Sequence, residues 1–388
     1  MLKRSIQPLI EEWLFKKKIL IIYGPRQVGK TTLSNSIIEK YKDRSLYINC
    51  ETLEAKEVLE SQSPNRIRSY FNGRDIIVLD EAQQIRDIGR TLKLMIDTYP
   101  DIQIIATGSS SFELSNKINE PLTGRNIKFQ LYPLSLKEIN EKYPIPVLSG
   151  KLENILRFGL YPEVFDQPDF EARRILGEIA NDYLFKDILS LADIKKPEAL
   201  IQILKALAFQ LGNEVSYGEI SKTTNINIDT VRRYIDLLEK CFIIFKLPSY
   251  SNNMRNELKR GFKVYFYDLG IRNSIIQSFN YIENRNDIGA LFENFCIIER
   301  VKQIQANKEY GNLYFWRSYT PDKEIDFVEE RDGMLHAFEF KWSSKASRNA
   351  RLPKNFLENY GGVVDENGTP KNITFKVIDN SNWWEWLI

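Results

Sequence analysis

The chain has 388 residues, 43% of them hydrophobic, which predicts a globular protein of two or three domains. Its 54 basic and 52 acidic side chains leave a formal net charge of +2, so any contact with a nucleic acid must be a local feature of the surface. The N terminus lacks the apolar core of a signal peptide, and no apolar run approaches the roughly 18 residues of a membrane span. Three widely separated cysteines form no Cys-x-x-Cys pair. We therefore expect a soluble cytoplasmic protein.

An apolar run at residues 19–23 predicts a buried strand, and a glycine-containing loop follows it directly. The loop has the pattern Gly-x4-Gly-Lys-Thr and consists of Gly24, Pro25, Arg26, Gln27, Val28, Gly29, Lys30, Thr31 and Thr32. Its glycines let backbone N–H groups point at the phosphates of a nucleotide, and a helix beginning near Lys30 adds the positive end of its dipole. We expect Lys30 to reach the outer phosphates of ATP and Thr31 to place its hydroxyl on Mg²⁺.

A second apolar strand, at residues 76–79, ends in two acids, Asp80 and Glu81. This is the pattern of a Walker B segment. Asp80 would hold Mg²⁺ through water, and Glu81 would polarise the water that attacks the γ-phosphate. The alternative interpretation is a buried strand with exposed carboxylates at its end.

Residues 1–134 alternate between predicted strands and helices, which indicates an α/β fold with a parallel sheet covered by helices on both faces. We predict strands at residues 19–23, 46–49, 76–79, 102–107 and 127–131.

These segments, together with Thr107-Gly108-Ser109-Ser110 and Leu122-Thr123-Gly124-Arg125, resemble the AAA+ ATPases of the P-loop group. More narrowly, they resemble prokaryotic ATPases in which an AAA domain precedes a domain of unknown function. The resemblance covers nearly the whole chain and implies a P-loop ATPase core at residues 1–134 that binds ATP and Mg²⁺ and assembles as a homo-oligomer. Thr107 and Ser109 would sense the γ-phosphate, unless they form an ordinary Gly-Ser turn. Arg125 would be an arginine finger or phosphate sensor, in cis or in trans, unless it is a solvated arginine at a strand start.

Residues 135–212 have a helical pattern and would form the small lid of the ATPase. They contain Gly159-Leu160-Tyr161-Pro162-Glu163, which is similar to a Gly-Gly-Tyr/Phe-Pro-Glu motif of the same family. Leu160 stands where that motif has its second glycine, which leaves open whether a backbone contact forms there.

Residues 213–286 predict two short helices joined by a turn, followed by two apolar strands, which is the order of a winged helix. The charges of the second helix balance, whereas the strand pair is basic through Arg255, Lys259, Arg260 and Lys263. DNA is one expected partner of this segment. Because winged helices also contact proteins, a protein partner is the alternative.

Residues 287–388 combine a helix that carries Glu293 with two strands that carry Asp326, Glu339 and Lys341. Glu339 and Lys341 lie two residues apart and share a face of their strand, where Asp326 could meet them. Two carboxylates and an ammonium in this arrangement could hold Mg²⁺ and activate a water molecule. The arrangement resembles the PD-(D/E)xK nucleases and implies an α/β restriction-endonuclease-like domain. The alternative is a sheet with polar residues alternating outward.

Our leading hypothesis is an ATPase whose nucleotide state repositions the winged helix and the nuclease-like domain on DNA, with metal-dependent endonuclease activity left open. The alternative is an ATP-dependent signalling switch that binds a protein partner and carries a catalytically inactive nuclease-like domain. Three C-terminal tryptophans, Trp383, Trp384 and Trp386, predict a packed end or an exposed aromatic patch.

Overall fold

The computed structural model describes residues 2–109, 122–181, 194, 196–251, 261–318, 323–362 and 372–388. Five strands near the N terminus form one parallel sheet in the order β2-β3-β4-β1-β5. They are β1 (Ile19–Tyr23), β2 (Ser45–Asn49), β3 (Ile76–Asp80), β4 (Gln103–Gly108) and β5 (Asn126–Gln130). The α/β class and the five strands are therefore confirmed, with bounds that shift by one residue.

Helices cover both faces of this sheet, and the strand residues are apolar because each face is buried. Along β1, Ile19 and Ile21 enter one hydrophobic core, and Leu20 and Ile22 enter another. The helices of this region are α1 (Gln7–Glu11), α2 (Lys30–Ile38), α3 (Leu53–Leu59), α4 (Pro64–Tyr70) and α5 (Ile88–Thr98), with 3-10 turns at Glu39–Arg44 and Ala82–Gln84.

The strand order decides which residues meet at the edge of the sheet. β4 lies between β1 and β3, so the carboxyl ends of these three strands are neighbours. The loop after β1, the acids that end β3 and the Ser109 that follows β4 are thereby brought to one edge, where ligands bind in open parallel sheets.

Helices dominate the next part of the chain, which also holds a small antiparallel sheet of order β6-β8-β7. Its elements are α6 (Leu136–Asn140), α7 (Ile145–Phe158), α8 (Asp169–Asn181), α9 (Pro197–Phe209), β6 (Glu214–Val215), α10 (Tyr217–Thr224), α11 (Ile228–Lys240), β7 (Ile244–Pro248), β8 (Phe262–Phe266), α12 (Leu269–Ile275) and a 3-10 turn at Ile282–Asn284. Helices α10 and α11, joined by a short turn, are thus followed by the antiparallel strands β7 and β8, in the order that the sequence predicts.

A long helix and a second sheet complete the chain. The sheet has the order β12-β11-β10-β9, with β11 and β12 parallel and the other pairs antiparallel. The elements are α13 (Ile288–Ala306), β9 (Asn312–Arg317), β10 (Glu324–Arg331), β11 (Met334–Lys341), α14 (Ser344–Ser347), α15 (Lys354–Tyr360), β12 (Ile373–Asp379) and α16 (Trp384–Leu387).

One continuous hydrophobic core joins the parts of the chain after the parallel sheet. Leu152 of α7, Leu204 of α9, Val264 of β8, Phe295 of α13 and Phe338 of β11 all belong to it. The C-terminal sheet is therefore packed against the helical region through shared apolar surface.

The segment after α7 forms the backbone contact that the sequence left open. The Leu160 amide donates a hydrogen bond to Oδ2 of the buried Asp268 at 2.7 Å. Gly159 has φ +73°, and a Cβ there would lie 2.1 Å from Asp268 Oδ1. The leucine at position 160 is tolerated because the contact uses its backbone, whereas position 159 needs glycine.

Candidate active site

The loop between β1 and α2 is a tight turn that depends on glycine. At Gly24, φ is +152°, and a Cβ would lie 2.1 Å from the carbonyl oxygen of Leu131. Gly29 has φ +93° and directly precedes the first residue of α2. Gln27 between them is also left-handed, with φ +57°. The chain thus enters the helix through a strained loop, which is the backbone shape that cradles phosphates.

Lys30 lies buried within this loop. Its Nζ donates hydrogen bonds to the carbonyl oxygens of Gly24 at 3.0 Å and Pro25 at 2.7 Å. Only 5% of the residue is exposed. The ammonium therefore lies across the mouth of the loop, next to the backbone where the sequence predicts phosphates.

Asp80 at the end of β3 accepts hydrogen bonds from three hydroxyl groups. Thr31 Oγ1 donates to Oδ2 at 2.9 Å, and Tyr47 Oη donates to the same oxygen at 2.6 Å. Thr107 Oγ1 donates to Oδ1. The predicted residues Thr31, Asp80 and Thr107 are thus brought together, with Tyr47 in addition. Burial and the neighbouring Asp80 carboxylate raise the pKa of Tyr47 well above its usual value, so its hydroxyl stays protonated.

Glu81 adopts a left-handed backbone conformation, with φ +52°, directly after the strand. Its amide donates to Thr107 Oγ1 at 3.2 Å. Gln83 Nε2 donates to Glu81 Oε2 and, at 3.3 Å, to Ser109 Oγ. Strained backbone of this kind is often found at functional sites, and here it turns Glu81 away from the strand direction. Gln83 lies two residues after Glu81 in the sequence, yet sequence reasoning gave it no role.

Two cavities open on either side of the loop. The smaller has a volume of about 300 Å³ and is polar, because Arg26, Gln27, Thr31, Asn49, Asp80 and Glu81 line it. The larger has a volume of about 620 Å³ and lies between the loop, the N-terminal segment and the helical region. Val28, Gly29 and Thr32 line it on one side, and Tyr143 and Phe165 line it on the other.

Arg4 fastens the N-terminal segment to both sides of the larger cavity. Its Nη1 donates to the Val28 carbonyl at 2.6 Å, and its Nη2 donates to the Tyr132 carbonyl at 2.5 Å. Its Nε donates to Glu138 Oε1 at 3.1 Å. Glu138 also forms a capping box with Ser135 at the start of α6. No sequence motif marks Arg4, and its partner Glu138 is distant in the chain.

Arg125 is not at this site. It directly precedes β5, where its carbonyl accepts a hydrogen bond from the Ile19 amide at 2.9 Å, and its Nε lies 2.7 Å from Asp97 Oδ1. Ile19 begins β1, whereas the loop follows the end of that strand, roughly 13 Å away along the chain. The structure therefore shows Arg125 paired with Asp97 rather than with the loop, and its roles as an arginine finger or phosphate sensor, or as a solvated arginine at a strand start, stay predictions.

The C-terminal residues predicted from the PD-(D/E)xK resemblance do converge. Lys341 Nζ lies 2.5 Å from Glu339 Oε1 and 4.0 Å from Asp326 Oδ2. Asp326 Oδ1 and Glu293 Oε1 lie 4.0 Å and 2.9 Å from the ammonium of Lys263. Burial, with the neighbouring Asp326 carboxylate, raises the pKa of Glu293 and of Glu339 above the usual carboxyl range.

The position of Lys263 corrects one expectation. It was predicted on the basic surface of the hairpin, but it is 1% exposed and reaches the carboxylates from strand β8. Within the described ranges, no group of three or more His, Cys, Asp or Glu residues is arranged to hold a metal ion. The metal site predicted from Glu293, Asp326, Glu339 and Lys341 stays a prediction. Arg255, Lys259 and Arg260 lie outside the described residues.

The parallel sheet and the Gly-x4-Gly-Lys-Thr loop define a P-loop nucleotide-binding domain. The family model described as an AAA domain matches residues 16–140, the part of the chain that holds this loop and the parallel sheet. Two models described as domains of unknown function, DUF8612 and DUF4143, match residues 149–281 and 288–373. No helix in the part of the chain that the structure describes is long and apolar enough to cross a membrane.

Relatives along most of the chain carry no functional description. An uncharacterized protein of Mycobacterium tuberculosis is 25% identical over 350 residues, which are 89% of this chain and 75% of that protein. An uncharacterized protein of Haemophilus influenzae is 26% identical over 347 residues, 81% of this chain and 80% of that protein. Among solved structures, the Thermotoga maritima RuvB Holliday junction branch migration motor is 16% identical, covers 67% of this chain and 95% of its own, and has a TM-score of 0.29. So low a TM-score carries no conclusion about substrate.

Proposed function

We propose that this protein hydrolyses ATP with Mg²⁺ at the loop Gly24–Thr32. The observation that carries the proposal is the cluster in which Thr31 and Thr107 donate to the Asp80 carboxylate beside the start of α2. Hydroxyl and carboxylate oxygens are the ligands that Mg²⁺ prefers, so Thr31 and Asp80 fit this ion. Bound there, Mg²⁺ would neutralise charge on the phosphates.

The residues around the cluster have complementary roles in this proposal. Lys30 would exchange the carbonyls of Gly24 and Pro25 for phosphate oxygens, which are stronger partners because they are charged. Glu81 would accept a proton from the attacking water, and Gln83 would hold that carboxylate in place. Thr107 and Ser109 would respond to the outer phosphate because both touch this network.

The larger cavity suits the rest of the nucleotide. Its volume of about 620 Å³ falls within the range of small-ligand sites. Tyr143 and Phe165 offer aromatic surface on which a base could pack. Thr32 lines the opposite wall of the cavity, which is formed by the loop. The phosphates would then cross the loop toward the smaller, polar cavity.

Phosphate release from ATP by the purified full chain tests this function. We expect Mg²⁺-dependent release by the wild type and by Lys93→Met, a matched change at an exposed lysine of α5. Lys30→Met should reduce the rate by roughly 10²-fold or more, because it removes the ammonium that would stabilise the transferring phosphate. Equal rates for Lys30→Met and the wild type would show that the turnover comes from another site or another protein.

We further propose that the C-terminal part of the chain responds to the nucleotide state through helix α13. Glu299 Oε2 accepts a hydrogen bond from the Leu136 amide at 2.7 Å, and Lys302 Nζ donates to the Leu134 carbonyl at 2.8 Å. Gln305 Nε2 donates to the Gln130 carbonyl at 2.8 Å. The helix therefore binds the backbone that joins β5 to α6, directly beside the segment that Arg4 ties to the loop.

Arg4→Met is expected to weaken ATP binding by about tenfold. The change leaves the Val28 and Tyr132 carbonyls and the Glu138 carboxylate without a charged donor. We expect the wall of the larger cavity to become less ordered and the binding free energy of ATP to weaken by roughly 1.5 kcal/mol. A titration of a fluorescent ATP analogue measures the effect. Arg66→Met, at an exposed position of α4, is the control and should bind as the wild type does. Unchanged affinity of Arg4→Met would remove Arg4 from the nucleotide site.

The output of the ATPase has two candidate forms. DNA contact through the helix pair and hairpin is the first. The second is a switch that binds a protein partner, and the burial of Lys263 favours it, because one of the four basic residues assigned to the hairpin surface cannot reach DNA. Arg232 and Arg233 of α11 already lie over the rings of Tyr217 and Tyr234. A salt-sensitive rise in phosphate release with duplex DNA would support the first form, and indifference to DNA at low salt would support the second.

A further inference from the structure

Lys263 lies beside two carboxylates of the predicted nuclease site, Glu293 and Asp326. Its Nζ is 2.9 Å from Glu293 Oε1 and 4.0 Å from Asp326 Oδ1, and it also contacts Glu324. These carboxylates come from α13 and β10, whereas the lysine comes from the hairpin strand β8. A buried ammonium is stable only among charges that compensate it, and this one is surrounded by three.

The carboxylates that would bind a divalent ion already have protein partners. Glu293 Oε1 accepts from Lys263 and from the Tyr265 hydroxyl at 2.5 Å. Asp326 Oδ2 accepts from the Phe340 amide at 2.8 Å, and Glu339 is paired with Lys341. Mg²⁺ demands near-octahedral oxygen ligands at roughly 2.0–2.1 Å, a geometry that these oxygens do not offer while Lys263, Lys341 and the Phe340 amide bind them.

Strand β8 holds Lys263 firmly in this position. Three residues further along the same strand, Phe266 exchanges two hydrogen bonds with the side chain of Asn294 on α13, at 2.7 and 2.9 Å. On the outer side, Arg317 lies 3.1 Å from Glu324 Oε2 and 3.3 Å from Glu214 Oε2. Glu324 is therefore paired with Arg317 on its outer side as well as with Lys263. Because Arg317 balances its charge there, Lys263 can stay buried beside Glu293.

We propose that Lys263 is the resident cation of this cluster and replaces the divalent metal ion that a nuclease of this fold would bind. The cluster is then an ionic junction that fastens the hairpin to α13 and the C-terminal sheet. It follows that the C-terminal region couples movements of the hairpin to α13 and the C-terminal sheet, rather than cutting phosphodiester bonds with a metal ion.

Mn²⁺ binding to the full chain without nucleotide tests the proposal. Electron paramagnetic resonance should show equal numbers of bound Mn²⁺ ions in the wild type and in Asp326→Asn, because Asp326 holds no metal. Loss of a bound ion in Asp326→Asn would overturn the proposal. This comparison does not depend on the folding of a Lys263 variant.

Thermal unfolding of Lys263→Met is the second measurement. Removing the ammonium leaves buried carboxylates uncompensated, so Tm should fall by roughly 10 °C, while Lys240→Met at an exposed position of α11 should leave it unchanged. Adding Glu293→Gln to Lys263→Met should recover part of the loss, since one buried charge is removed with its partner. An unchanged Tm for Lys263→Met would contradict the assigned role.

Discussion

Replacing Glu81 by glutamine is expected to reduce kcat for ATP hydrolysis by roughly 10²–10⁴-fold, the usual contribution of a general base. Glutamine keeps the size and the hydrogen-bonding capacity of the side chain but cannot accept the proton of the attacking water. Because Lys30, Thr31 and Asp80 are untouched, ATP affinity should stay within about threefold of the wild type. The variant would therefore hold ATP without turning it over.

Phosphate release in a single turnover, together with ATP titration, separates these two effects. Glu57→Gln, at an exposed position of α3, is the matched control and should behave as the wild type in both assays. If Glu81→Gln lost affinity and kept its kcat, Glu81 would be a binding residue and the proton acceptor would have to be sought elsewhere.

Trp383→Ala should lower the free energy of unfolding by about 3–5 kcal/mol, the range for a buried large aromatic replaced by alanine. Trp383 is fully buried, and its ring packs edge-on against Phe295 of α13 at 5.9 Å and against Trp384 at 5.7 Å. The change would leave a cavity between α16 and α13. Urea unfolding followed by circular dichroism measures the loss.

Trp383→Phe is the matched variant for that measurement. The indole N–H finds no hydrogen-bond partner among the described residues, so phenylalanine gives up packing volume but no polar contact. We expect it to cost less than half as much as alanine. An alanine variant as stable as the wild type would mean that α16 is a loosely attached end rather than part of the core.

The parallel sheet and its loop could be predicted because each rests on local pattern. The run Ile19–Tyr23 is apolar on both faces, and the loop after it has fixed spacing. The convergence of Asp80 with Thr31 followed from the strand order expected for such a sheet. Tyr47 could not be found in this way, because its approach to Asp80 depends on which strand neighbours β3.

The sequence misplaced Lys263 because its charge was assigned to a surface before its packing partner was known. Lys263 looked like a basic hairpin residue, yet its strand is covered by α13 and β10. Arg125 directly precedes its strand, and only the parallel pairing with β1 shows that this end is far from the loop. Arg4 was missed because its contact with Glu138 spans 134 positions of the chain.

Calorimetric titration of ATP, with Mg²⁺ or with EDTA, into the wild type and Asp80→Asn tests the central claim most directly. Asp101→Asn, at an exposed position before β4, is the control. The account predicts that Mg²⁺ strengthens ATP binding to the wild type and to Asp101→Asn but not to Asp80→Asn, because Asp80 would hold the ion. A wild type that does not bind ATP, or an Asp80→Asn variant that keeps the full Mg²⁺ effect, would contradict it.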